Sequence, residues 1–124
     1  MKENATMKCL FCDEKHAERF YTMLTYDRTS SGDRERESMF FIISGNQELY
    51  EHSSLIYNYQ THRLRPNGLN KLDHMCSSSK KLLRLSLHLY NSCTLSELTP
   101  YSLLNNLDSE NLNLALNGML IRFS

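Results

Sequence analysis

Two thiols and an imidazole are the first residues whose spacing suggests chemistry: Cys9 and Cys12 form a C-x-x-C, and His16 follows four residues later. Thiolates at that spacing can share one zinc ion, and an imidazole one turn into a helix would add a third ligand. His74 or Cys76 would have to close the site by folding back onto the N-terminus. The second C-x-x-C or paired-histidine knuckle is missing, and Leu10 and Phe11 between the cysteines read as core residues. Cys9, Cys12 and His16 are therefore zinc candidates with the balance against them, and no cofactor is expected. A redox role would want alternating strands and helices around the motif, which the chain lacks.

Nucleophilic catalysis needs a thiol or hydroxyl beside a base. Cys76 with His74, and Cys93 with His88, are neighbours in sequence only, which is no measure of proximity in space. Paired acids on one helix face, a phosphate-cradling glycine loop and a G-x-S-x-G elbow are all missing from a chain with four glycines. The reading is of a protein that is not an enzyme.

Charge and aromatic residues give two binding candidates. Lys and Arg together number 14, as do Asp and Glu, so no global field draws the chain to nucleic acid or membrane. The charge is nonetheless segregated: residues 60–91 hold Arg63, Arg65, Lys71, Lys80, Lys81 and Arg84 against Asp73 alone, between flanks that are acidic on balance. Ser78 and Ser79 precede a helical pattern whose free amides would join Lys71, Lys80, Lys81 and Arg84 in an anion- or nucleic-acid-binding set. Duplex readout would want a basic domain and a polar recognition helix, whereas the helix that follows is leucine-loaded. Tyr50, Tyr57 and Tyr59 lie just before Arg63 and Arg65, and tyrosine with arginine is the composition of protein interfaces. That segment is the leading partner-binding surface. It would serve a protein partner or self-association, with the basic set as the alternative.

The elements that must position these residues are helical. Val and Trp are absent, and Leu, Ser, Asn and straight-chain charged residues dominate, which favours helix over sheet. Asp13 caps a helix from about 13 to 27 on the stripe Ala17, Phe20, Tyr21, Leu24, and Thr29 to Gly32 form a loop. Asp33 caps a second helix through Met39, Phe40, Phe41, Ile42 and Ile43, with Gly45 placed as the residue just past its end. Asn46 caps a short helix over 47–51, residues 54–60 fit no single period, and Pro66, Asn67, Gly68 and Asn70 mark 61–76 as a long loop. A helix over 79–91 is the most regular segment. Thr99 with Pro100 starts a short helix, and Asp108 caps a last one whose buried side is Leu112, Leu114, Ala115, Leu116, Met119, Leu120 and Ile121.

With 124 residues the chain has material for one core. The expected fold is all-α, a compact array of about five or six short helices. Residues 1–12 read as a partly flexible N-terminal segment and residues 13–124 as a single domain. No apolar run reaches the roughly 20 residues that span a bilayer, and the polar start is unlike a secretion signal. The expectation is therefore cytoplasmic, with reduced thiols and no membrane partner.

Four stretches carry a resemblance. They are Asp13 to Tyr21, Met39 to Tyr50, Ser78 to Asn91, and the tail from Asp108 to Phe123. In these the chain resembles a small uncharacterised family of Gram-positive bacteria and their phages or mobile elements. The resemblance covers most of the chain and brings no catalytic residues, and Cys9 and Cys12 fall outside its pattern. It implies a helical protein that acts by docking onto another protein of host or phage, including anti-defence roles such as inhibition of CRISPR effectors.

Overall fold

From Met39 to Ile43 the second helix is apolar on every side, which is stable only when other helices surround it. The computed structural model describes residues 9–91 and 99–124, and there Met39, Phe40, Phe41, Ile42 and Ile43 are all fully buried. This helix, α2 (Arg34–Gly45), packs against α1 (Glu14–Asp27) on one side and against α6 (Ser77–Asn91) and α8 (Ser109–Arg122) on the others. Phe20, Met23 and Leu24 of α1, Leu82, Leu85, Leu87 and Leu89 of α6, and Leu114, Ala115 and Ile121 of α8 are buried with it in the core. Leu10 and Phe11 pack against it from the N-terminal side, and Asn117 Nδ2 donates to the Leu10 carbonyl at 3.1 Å.

The helix starts follow the capping rule. Asp13, Asp33, Asn46 and Asp108 each accept a backbone N–H from the residue three positions on, and Thr99 with Ser102 forms a reciprocal capping box ahead of α7 (Pro100–Leu104). Asn46 serves α3 (Gln47–Glu51).

Between α3 and α6 the structure departs from expectation. Residues 61–76 are not a long loop, and the unassigned stretch before them has form too. A single helical turn, α4 (Ser53–Ile56), leads into β1 (Tyr57–Asn58). This pairs antiparallel with β2 (Arg63–Leu64) in the register Tyr57 to Leu64 and Asn58 to Arg63. A second turn, α5 (Pro66–Leu69), and a 3-10 turn (Asn70–Leu72) follow. A ladder of two residues leaves no period to read, and single turns built on Pro, Asn and Gly resemble loops in composition.

Three further expectations are corrected. Helix α6 starts at Ser77, not Ser79. Gly45 lies inside α2, without a left-handed angle; a Cβ there would stand 2.3 Å from Leu114 Cδ1 and 2.9 Å from the His16 ring, so close packing demands the glycine. In α8, Leu116 and Leu120 are exposed, because that helix meets α2 and α6 along one side only.

Candidate functional site

Asp27 is the last residue of α1, where the helix dipole disfavours a carboxylate, and its side chain is almost wholly buried. Such a group is tolerable only with donors and cations around it. It has both. Oδ1 accepts from the Tyr57 hydroxyl at 2.7 Å and from His62 Nδ1 at 2.7 Å, and Oδ2 accepts from the Thr29 hydroxyl at 2.6 Å. Arg36 Nε stands 3.6 Å from Oδ2 and donates to the Tyr57 oxygen at 3.2 Å. The same guanidinium donates to Asp33 at 2.9 Å and to the His62 carbonyl at 3.3 Å, and lies 5.5 Å from the centre of the Tyr90 ring. Its hydrogen bond with Tyr57, and then Asp33, hold Arg36 above its ordinary range, while burial pushes the Tyr57 phenol up.

This hub ties the end of α1, the start of α2 and the end of α6 to the hairpin. The hairpin turn is held separately: Asn58 Oδ1 accepts the amides of Gln60 at 2.8 Å and Thr61 at 3.3 Å. His62 then takes φ +58, a left-handed angle unusual for a residue with a Cβ. The strain is maintained because both its side chain and its carbonyl are bonded into the hub. A carboxylate only accepts, so His62 donates from Nδ1–H to Asp27, leaving Nε2 with no hydrogen bond among the described residues. Sequence reasoning missed this cluster. Asp27 and His62 are 35 positions apart, and nothing local links them.

The hub redistributes the partner-binding candidates. Tyr57 leaves that set: its ring is enclosed by Phe40, Tyr59 and Tyr90, and its hydroxyl serves Asp27. Tyr50 is half-buried under the Arg19 guanidinium, 4.5 Å from its ring centre. Tyr59 is also half-buried, against Tyr57 and Phe40, and burial pushes its phenol up. Arg63 and Arg65 are exposed, and neither side chain has an ion-pair partner among the described residues. Sequence reasoning passed over Tyr26, which is 67% exposed with its ring 5.9 Å from Tyr59. Its position off the apolar stripe of α1 was the available signal.

The basic set is split. Ser79 is buried, its hydroxyl 3.3 Å from Asn46 Oδ1 and turned to the Glu48 carboxylate of the chain itself, so it is not open to an anion from outside. The start of α6 already has its own anion: the Glu48 carboxylate accepts the Cys76 amide at 3.2 Å. Hydrogen bonds from Ser79 and Cys76 hold Glu48 below its ordinary range. Ser78 is half-buried beside this cap, and Lys81 is engaged, donating to the Asn105 carbonyl. Lys80 and Arg84 line a groove of about 320 Å³ that also contains Asp73. Lys71 lines a different groove, of about 420 Å³, together with Arg65. The structure thus unites one residue from each candidate set.

The zinc candidates do not converge. The His16 Nδ1 accepts the Cys12 amide at 3.0 Å, which requires Nε2 to carry the proton that bonds the Phe41 carbonyl at 2.8 Å. Both ring nitrogens are used, and the ring packs against Phe11 and Phe41. Cys9, Cys12 and Cys76 are exposed and in no disulfide among the described residues, and Cys93 lies outside the described residues. His74 packs against His52 and bonds the Lys71 carbonyl. Among the described residues no three His, Cys, Asp or Glu side chains form a metal-holding group, and no helix is long and apolar enough to cross a membrane.

No curated protein and no solved structure matches the chain. A family model described as a family of unknown function (DUF6075) matches residues 6–124.

Proposed function

The chain belongs to this family of unknown function, and we propose that it acts as a non-enzymatic module that docks onto another protein through the hairpin face. The observation that supports this is a hairpin fastened by a buried carboxylate, with Arg63 and the following Arg65 exposed and without ion-pair partners among the described residues, and with Tyr59 of the hairpin packed against the exposed Tyr26 of α1. A surface already fixed in place loses little freedom on binding, and arginine with tyrosine is the composition that carries interface energy. The partner's complementary surface is acidic. Asp27 and His62, the described pair with acid–base character, are here given a fastening role. In the phage or mobile-element setting that the sequence resemblance implies, docking in the cytoplasm would modulate a host or phage protein, anti-defence roles included.

The test is affinity capture of the tagged chain from host lysate, with and without nuclease. It is compared with the double variant Arg63→Glu and Tyr26→Ala, both exposed positions. A stoichiometric protein that survives nuclease and is lost with the variant, at unchanged circular dichroism, supports the reading; capture that the variant leaves intact removes this face. Self-association through the same surface predicts a light-scattering mass above one chain.

Nucleic acid is the second reading, favoured by Lys71, Lys80 and Arg84, which lack ion-pair partners among the described residues. It predicts nuclease-sensitive capture and an affinity that falls steeply with salt through counterion release.

A further inference from the structure

The groove shared by Arg65 and Lys71 lies between the hairpin and α5, and its lining has a chemical bias. Ser54, Asn58, Thr61, Asn67, Arg65 and Lys71 supply its polar groups, Leu55, Leu64 and Pro66 its apolar wall, and no carboxylate is among them. Arg65 and Lys71 can only donate. Asn58 has its oxygen taken by the Gln60 and Thr61 amides, so its free Nδ2 hydrogens add further donors. The neighbouring groove of Lys80 and Arg84 differs in holding Asp73, which would repel an anion. The walls of the first groove are fixed where the chain crosses itself: a Cβ on Gly68 would fall 2.0 Å from the Leu55 carbonyl oxygen, so the two backbones are in direct contact. Its volume of about 420 Å³ is in the range of small-ligand sites.

We propose that this groove binds the phosphate group of a phosphorylated ligand, with Arg65 and Lys71 on the phosphate oxygens and Leu55, Leu64 and Pro66 against the ligand's organic body. Guanidinium with ammonium is a pairing suited to a multiply charged oxyanion, and hydroxyl and amide donors fill the remaining lone pairs. The site goes beyond the docking reading. Arg63, across the ladder from Asn58, is not part of its lining.

The experiment is a nitrogen-15 NMR titration of the whole chain with inorganic phosphate, against sodium chloride at matched ionic strength. Saturable shifts are expected at the amides of Asn58, Thr61, Asn67 and Lys71, with a dissociation constant on the order of millimolar. The double variant Arg65→Gln and Lys71→Gln should weaken binding by at least about tenfold, the loss expected for one charge-assisted hydrogen bond. Lys71→Gln alone is the control if Arg65→Gln disturbs the hairpin. Tyr26→Ala, a neutral change at an exposed position outside this lining, should leave phosphate binding unchanged, so the docking face and the groove can fail separately. A short single-stranded oligonucleotide at equal phosphate concentration separates the sources. Tighter binding that spreads to Lys80 and Arg84 assigns a polymer backbone, equal or weaker binding assigns a free phosphate ester, and either supports the groove. Shifts reproduced by chloride, shifts that saturate elsewhere, or undiminished binding in the Gln variants would overturn the proposal.

Discussion

His16 shows how fully one side chain can be committed. Its imidazole accepts at Nδ1 and donates at Nε2, so a second proton would set an N–H against the Cys12 N–H. Burial lowers its pKa from the ordinary 6.5, outweighing the Phe41 carbonyl and Asp13, which act the other way. Between the depressed folded value and 6.5 the unfolded chain binds more protons than the folded one. The stabilisation is therefore complete above pH 6.5 and is lost as pH falls below it. Urea midpoints measured from about pH 8 to pH 5 should decline at the acid end. His16→Gln should lower stability by about 1–3 kcal/mol near neutrality, the cost of disrupting buried hydrogen bonds, and flatten that decline. An unchanged slope in the variant would assign the acid sensitivity elsewhere. The sequence offered His16 as a metal ligand because spacing alone does not reveal that both nitrogens are occupied. Its nearest local signal, Asp13 at the helix start, was read correctly as a cap.

Helix ends were the most legible elements because caps are local. Asp13, Asp33, Asn46, Thr99 and Asp108 each bond within three residues, so the sequence displays both donor and acceptor together. The start of α6 is hard to read for the opposite reason: the Cys76 amide just before it is bonded by Glu48, 28 positions earlier, and Ser79 turns inward. Glu48→Ala should therefore destabilise the chain by about 1 kcal/mol, as the loss of a helix cap does, with the first turn of α6 showing faster amide exchange. The Glu48 contribution is present above its ordinary value of 4.5 and is lost as pH falls through the depressed folded value, so the penalty of the variant should shrink in acid. A penalty that stays constant down to about pH 3 would show that packing, not charge, is what Glu48 supplies. The hairpin was illegible at this scale, since its two-residue strands are fixed by contacts from three other elements.

Across the whole molecule, the apolar run in α2 correctly identified the centre of the core, but its length said nothing of which helices close around it. Gly45 records that closure: α8 approaches until Leu114 and His16 fill the space of a side chain. Gly45→Ala should cost about 1–3 kcal/mol from overpacking, against the small gain that alanine gives an unobstructed helix position; chemical denaturation of the pair decides between them. The exposed Leu116 and Leu120 of α8 mark where closure stops. Fastening of the hairpin by a distant carboxylate has one more consequence. Arg63 is exposed yet paired in a ladder, so trypsin can cut between Arg63 and Leu64 only when the hairpin opens, and the following arginine is shielded by Pro66. When opening is fast relative to cutting, the cleavage rate reports the open population. Asp27→Asn should raise that rate well before global unfolding, which makes the resistance of the Arg63–Leu64 bond to trypsin a clock for how firmly one buried carboxylate holds the surface above it.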